Sequence, residues 1–396
     1  MIRRVAVLGG GPAGSFAAAQ LASAGLEVEL FDDKLAWEKP CGGGLTHKAY
    51  RRYPFLLHNS TPKRLVREAY LSTDGGGEAR LTLHDPMVIY SRLELNGLLL
   101  DRAAQAGARI EKARVLEMSR AGASWRLRTS AGTAEADFCI LATGARNSLR
   151  EFGTQLGPSD TMAALGYYLA GDQEYIDIRF LDGLEGYIWI FPRCGHLSAG
   201  ICGKGVPASE LRARLELYLR RRGISLAGAC FYSHLLPSLD RASWRNNRVA
   251  GEGWLAVGDA AGLVDPITGE GIYYAIRSGD LAAQALIADG AASDCAAAYR
   301  QLLRRDFTAD LEFGAGLAER VFLGRFLCGS VPARMVQFAD RSPRFREIIS
   351  DLIAGRQPYL GLKRRLYRNL CGSLGDILLS FGLVRTRTSY GQRRTA

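Results

Sequence analysis

The segment that most limits what this chain can fold into is VAVLGGGPAGSFAAAQLASAGLEVELFDD, residues 5–33. VAVL reads as a short buried strand, the glycines as a turn, and SFAAAQLASAG as an alanine-rich helix ending at Gly25. LEVELF reads as a second strand closing at Asp32. Within it, Gly9-x-Gly11-x-x-Gly14 follows a strand and opens a helix, the context that a dinucleotide-binding turn requires. The three glycines allow a tight turn, close approach of a pyrophosphate and close helix packing, with Ala13 inside the same turn. The helix N-terminus favours the phosphate charge. Asp32 stands where a carboxylate reaches ribose hydroxyls, with Asp33 as its fallback. The fingerprint alone does not separate NAD from FAD.

A second glycine cluster lies in EKPCGGGLTHKAY, residues 38–50. Glycine permits positive φ and close approach of the backbone to a neighbour. Cys41-Gly42-Gly43-Gly44 therefore reads either as a ligand-facing loop with a thiol at its lip, or as a turn with a buried cysteine packed as a small apolar residue. Farther on, TMAALGYYLA, YIDIRFL, GYIWIFP and HLSAGICG form a strand-rich stretch over residues 161–205, expected to make an antiparallel sheet apart from the first domain. LAVGDAAG then returns to strand, glycine turn and helix, and the chain from 293 reads as helical. Tyr187, Trp189 and Phe191 alternate along one strand, so they share a face. That face is either sheet core or the wall of an apolar pocket.

Two further segments bring in a resemblance. LAVGDAAGLVDPITGEGIYYAIRSGDLAA, residues 255–283, resembles the second flavin-binding segment of FAD-dependent oxidoreductases of the p-hydroxybenzoate hydroxylase type, and CILATGARNSLR, residues 139–150, resembles their middle motif. YSRLELNGLL is similar to the segment whose arginine, here Arg92, runs along the cofactor. The resemblance implies non-covalent FAD held by Gly144, Asp259, Gly269, Gly271 and Ile272 in addition to the fingerprint. Asp259 would bind the ribityl chain or, read from the residues alone, cap a helix. Among these flavoproteins, KPCGGGL and P-x-x-Y-x-W-x-F-P mark the geranylgeranyl reductase family. Here Tyr187, Trp189, Phe191 and Pro192 match, and Leu184 stands in place of the first proline. The resemblance implies that Cys41, Gly43 and Gly44 lie near the flavin, that the three aromatics bind a prenyl chain, and that carbon–carbon double bonds are reduced, with Cys41 a catalytic candidate. A flavin-dependent monooxygenase or halogenase is the alternative, since halogenases carry a related W-x-W-x-I-P string. NAD(P)H or a reduced carrier protein would supply electrons.

These readings predict an α/β fold: a Rossmann-like FAD-binding domain from residues 1–65, 88–155 and 246–292, an antiparallel substrate domain from 66–87 and 156–245, and a helical region over 293–396. The eight cysteines form no C-x-x-C pair, and neither they nor the five histidines have metal-site spacing. No metal is expected. Without a secretion signal or a long apolar run, a cytoplasmic protein is expected. The net charge is +11. From 356 onward, basic residues such as Lys363, Arg364, Arg385 and Arg394 alternate with apolar ones against the acid Asp376. That composition favours an anionic membrane surface as partner over nucleic acid.

Overall fold

A computed structural model describes residues 2–369 apart from 76, 150 and 290–291. The basic segment expected over 356–396 is thus described only as far as 369. Strand Arg4–Leu8 sits in the middle of a six-stranded sheet. It pairs in parallel with Glu27–Phe31 on one side and Phe138–Leu141 on the other, and Trp254–Ala256 and Arg109–Glu111 extend the sheet outward. Val5, Val7, Leu30 and Ile140 are buried, as expected of parallel strands covered on both faces. The first helix, Pro12–Ser23, lies against the long helix Ile272–Asp289. Gly279 makes that approach possible, because a Cβ there would run into the Ala13 carbonyl oxygen.

The second sheet has eight strands. Its neighbours pair antiparallel, with one departure from the expected pattern: Tyr175–Phe180 runs parallel to Arg64–Thr73. These strands come from distant parts of the chain, so no hairpin dictates their direction. Gly44–Leu45 forms the sheet's edge, adding the glycine cluster to strand Glu78–Ile89. Residues 115–136 form a separate three-stranded sheet.

On the aromatic strand Gly186–Pro192, Ile188 and Ile190 face a core formed with Leu211, Leu215 and Leu219 of helix Ala208–Arg221. Tyr187, Trp189 and Phe191 take the opposite face. Helices Ala309–Leu323, Val331–Arg341 and Pro343–Ile353 close over that side, and a short hairpin, Arg325–Phe326 with Gly329–Ser330, joins the first two. Among the described residues, the chain from 293 to 369 is mainly helical, interrupted by this hairpin. Among the described residues no helix is long and apolar enough to cross a membrane.

Candidate active site

The fingerprint glycines divide by environment. Gly9 has φ +117°, and a Cβ on it would strike the Ala142 carbonyl oxygen; a Cβ on Gly14 would strike the oxygen of Gly9. A Cβ on Gly11 meets nothing within 4 Å, nor does one on Gly144, which has φ +76°. Two glycines thus close the turn and two leave open space beside it. Both oxygens of the Asp32 carboxylate hold this turn, accepting from the amides of Gly10 at 2.6 Å and of Lys34 and Leu35 at 2.7 Å. Asp33 is exposed.

Asp259 lies in a single turn of 3-10 helix, Gly258–Ala261, and the long helix begins only at Ile272. Its side chain therefore does not cap that helix, as the residues alone had allowed. Instead Asp259 Oδ2 takes Lys39 Nζ at 2.9 Å. Burial pushes the Asp259 carboxyl pKa up, but the Lys39 ammonium outweighs it and holds the group below its ordinary value. His234 is held neutral, its pKa drawn down to about 3 by burial and then by Lys39. Arg92 is buried at the start of helix Arg92–Gln105; its Nη2 donates to Asn96 at 3.3 Å, while its Nε has no partner.

The second glycine cluster is packed against protein at every position. A Cβ on Gly42 would lie 2.7 Å from the Phe191 ring, and one on Gly44 2.7 Å from Met87 Sδ and 3.0 Å from Phe191. Gly43 has φ +83°, and its Cβ would collide with the Tyr90 carbonyl oxygen. An ion pair between a buried arginine and a half-buried glutamate fixes the loop from below. Arg193 Nη1 meets Glu38 Oε1 at 2.5 Å, and Nη2 donates to the Cys41 carbonyl. Glu38 also accepts from the amides of Arg92 and Leu93 at 3.0 and 3.2 Å. Burial works against the Glu38 charge, but Arg193 and those amides keep its pKa below the usual value. Ser198 Oγ donates to the same Cys41 carbonyl at 3.0 Å and lies 3.0 Å from Tyr232 Oη. Cys41 itself is half-buried, its Sγ accepting from the Gly43 amide at 3.3 Å.

Above the loop lies a cavity of about 460 Å³. Cys41, Gly43 and Gly44 line it, with Tyr187, Trp189 and Phe191 on the sheet side and Gly269, Gly271 and Ile272 on another. Trp189 lies flat over Gly200, where a Cβ would overlap its ring. Tyr187 Oη donates to the Thr268 carbonyl, tying the aromatic strand to the 265–271 loop. The helical region supplies Met335, Ile349, Leu352 and Tyr359. Tyr359 was grouped by composition with the membrane-facing tail; it is buried, and its Oη reaches Asp265 Oδ1 at 2.8 Å. Arg356 likewise spends its charge inside the protein, on Asp85 and Asp351. Lys48, the basic side chain among the described lining residues, is held by Glu270 at 2.5 Å.

Apart from exposed Asp33, the sequence-predicted residues fall into two adjoining groups. Gly9, Gly11, Ala13, Gly14, Asp32, Arg92, Gly144 and Asp259 surround the dinucleotide turn; Cys41, Gly43, Gly44, the aromatics and Gly269 to Ile272 line the cavity. Gly271 joins them, a Cβ there lying 3.5 Å from Asp259 Oδ1. Glu38, Lys39, Arg193, Ser198, Tyr232 and Tyr359 were not anticipated. Open space beside Gly11 and Gly144, the unspent Nε of buried Arg92 and the carboxylate of Asp259 fit a dinucleotide continuing toward the cavity. This fold and donor set are those of a dinucleotide-binding protein with an adjoining apolar chamber.

No protein-family model matches the chain. It is 31% identical over 383 residues to the menaquinone reductase of Mycobacterium tuberculosis, covering 88% of this chain and 91% of that protein. It is 30% identical to the geranylgeranyl diphosphate reductase of Synechocystis, covering 73% of this chain and 76% of that one. It spans 66% of the tobacco chloroplast enzyme of the same name. A geranylgeranyl bacteriochlorophyll reductase-like protein from Thermoplasma acidophilum shares the fold, with TM-score 0.75 at 22% identity over 93% of this chain and all of that one. The halogenase PltM, solved with phloroglucinol and FAD, shares it more distantly, with TM-score 0.64 at 14% identity over 89% of this chain and 83% of that one. The chain belongs to the geranylgeranyl reductase family of FAD-dependent oxidoreductases.

Proposed function

We propose that this enzyme reduces carbon–carbon double bonds in the prenyl chain of a lipid or quinone. The observation that carries the reading is the aromatic-walled cavity, which opens from the glycine loop and adjoins the dinucleotide site. Bound FAD, held by the fingerprint turn, Arg92, Gly144, Asp259 and the 269–272 segment, would supply the reducing electron pair. The chain's own part is positioning and protonation. Tyr187, Trp189 and Phe191 hold an extended apolar chain and exclude water. The Cys41 thiol lines the cavity, with its Sγ accepting from the Gly43 amide, and would be the group that passes a proton to an alkene carbon. Lys48 is committed to Glu270, which supports a substrate whose headgroup is uncharged or stays outside the cavity. Only one dinucleotide fingerprint occurs, so NAD(P)H or a reduced carrier protein would dock transiently.

The substrate would be drawn from an anionic membrane surface, as the basic and apolar composition beyond 356 supports. The test is incubation of reduced holoenzyme with a prenylquinone and with a prenyl diphosphate of equal chain length, followed by mass spectrometry. A gain of two hydrogens that remains in the prenyl fragment after the headgroup is reoxidised to the quinone, lost or slowed in Trp189→Ala, is the expected result. No mass change in either substrate would refute the reading.

A further inference from the structure

We propose that the hairpin at residues 325–330 is a membrane-inserting tip through which this protein docks on an anionic lipid surface. The inference rests on the membrane reading above, and assigns it to a part of the fold other than the tail. Two strand residues on each side, Arg325–Phe326 and Gly329–Ser330, enclose a two-residue turn, Leu327-Cys328. Both turn residues have positive φ, +49° and +59°. This is the pattern of a type I′ turn, which strongly prefers Asn-Gly because other side chains are strained there. Leucine at such a position is unfavourable twice, since it is also 57% exposed. Phe326 is 51% and Leu323 44% exposed beside it, so three large apolar side chains stand together in solvent.

The tip is held rather than loose. Arg334 Nη2 donates to the Leu327 carbonyl at 2.6 Å, and Ser330 Oγ donates to Asp182 at 2.9 Å. A turn that is strained, apolar, projecting and braced at its base serves a contact outside the protein.

Charge selects the partner. Arg325 on the hairpin and Arg320 and Arg344 on the neighbouring helices are exposed, with no acid between residues 320 and 339. Apolar side chains at a tip with arginines behind them match an acyl layer beneath anionic headgroups. The helices on either side of the hairpin also contribute Val321 and Met335 to the cavity wall, which places the docking tip beside the chamber a membrane-borne prenyl chain would enter.

The test is sedimentation of the FAD-loaded full chain with phosphatidylglycerol-containing and pure phosphatidylcholine vesicles. Leu327→Asn with Cys328→Gly installs the preferred turn and removes the apolar tip. Its melting temperature should equal or exceed that of the parent, while its vesicle partition coefficient falls about tenfold. Arg320→Gln with Arg325→Gln should lower partitioning only where anionic lipid is present. Unchanged partitioning of the turn variant, with binding instead abolished by neutralising the arginines beyond 356, would overturn the assignment. So would a parent chain that ignores vesicles but self-associates through this face, with the turn variant monomeric. Turnover on a detergent-dispersed prenylquinone, measured alongside, is unaffected by the tip and reports the fate of the enzymatic reading separately.

Discussion

The two glycine clusters, at residues 9–14 and 42–44, use the missing Cβ for different ends. In the first, Gly9 and Gly14 are filled by the protein's own backbone while Gly11 looks into open space. That division is what a ligand-binding turn needs: fixed on one side, free on the other. In the second, all three positions are filled by protein, by Phe191, Tyr90 and Met87. Those glycines bring a backbone close to an aromatic wall, so that the cavity forms between them. A glycine-rich loop is therefore not by itself a phosphate cradle, and the direction of the absent side chain distinguishes the two.

The comparison breaks most sharply on single substitutions. Gly43→Ala should lose about 4–5 kcal/mol of stability, from positive φ and the collision with the Tyr90 carbonyl combined, as read from chemical denaturation. Gly11→Val should leave the stability of the flavin-free protein within about 0.5 kcal/mol, yet abolish FAD retention, measured from the absorbance of the purified protein. A destabilised Gly11→Val or a benign Gly43→Ala would reverse the assignment of the two clusters.

Arg193→Met removes the clamp under the second cluster and leaves Glu38 without its cation. We expect a loss of about 3–4 kcal/mol, with part of it recovered in the double variant Glu38→Leu with Arg193→Met. No recovery would mean that Arg193 acts by packing alone.

The pH dependence sharpens the contrast, because His234 belongs to the ligand-side region. Its folded pKa of about 3 lies below the ordinary 6.5. Between these values the unfolded chain takes up a proton that the folded chain does not. Stability is therefore lost as pH falls from 6.5, by up to about 1.4 kcal/mol per pH unit. Glu38, also held below its usual pKa, adds a loss in the same direction at lower pH, as its carboxylate protonates. His234→Gln should flatten the slope between pH 6.5 and 5, read from melting temperature; an unchanged slope would place the titration elsewhere.

What the sequence made legible was whatever is written locally. The fingerprint, the strand alternation that puts Tyr187, Trp189 and Phe191 on one face, and the strings at 139–150 and 255–283, each taken singly, lie within a short window. The reason for Gly42 to Gly44 was not legible, because it is supplied by Phe191 and Tyr90, which only the folded sheet brings near. The Glu38–Arg193 pair and the Tyr359–Asp265 bond join residues far apart in sequence, and no periodicity announces them. The helix after Asp259 was expected too early, since GDAAG makes only one turn before the chain leaves helical geometry. Basic composition near 356 was misleading for Arg356 and Tyr359, which are satisfied inside the protein.

The central claim is that the chamber between the glycine loop and the aromatic strand receives a prenyl chain for reduction. Anaerobic single turnover tests it most directly: the flavin is reduced, excess reductant is removed, and a prenylquinone is added while flavin absorbance is followed. The account predicts that the oxidised flavin spectrum returns without oxygen, in proportion to saturated product, and more slowly in Cys41→Ser with its FAD content intact. A flavin that stays reduced until oxygen is admitted, and then yields a hydroxylated or halogenated product, would contradict it.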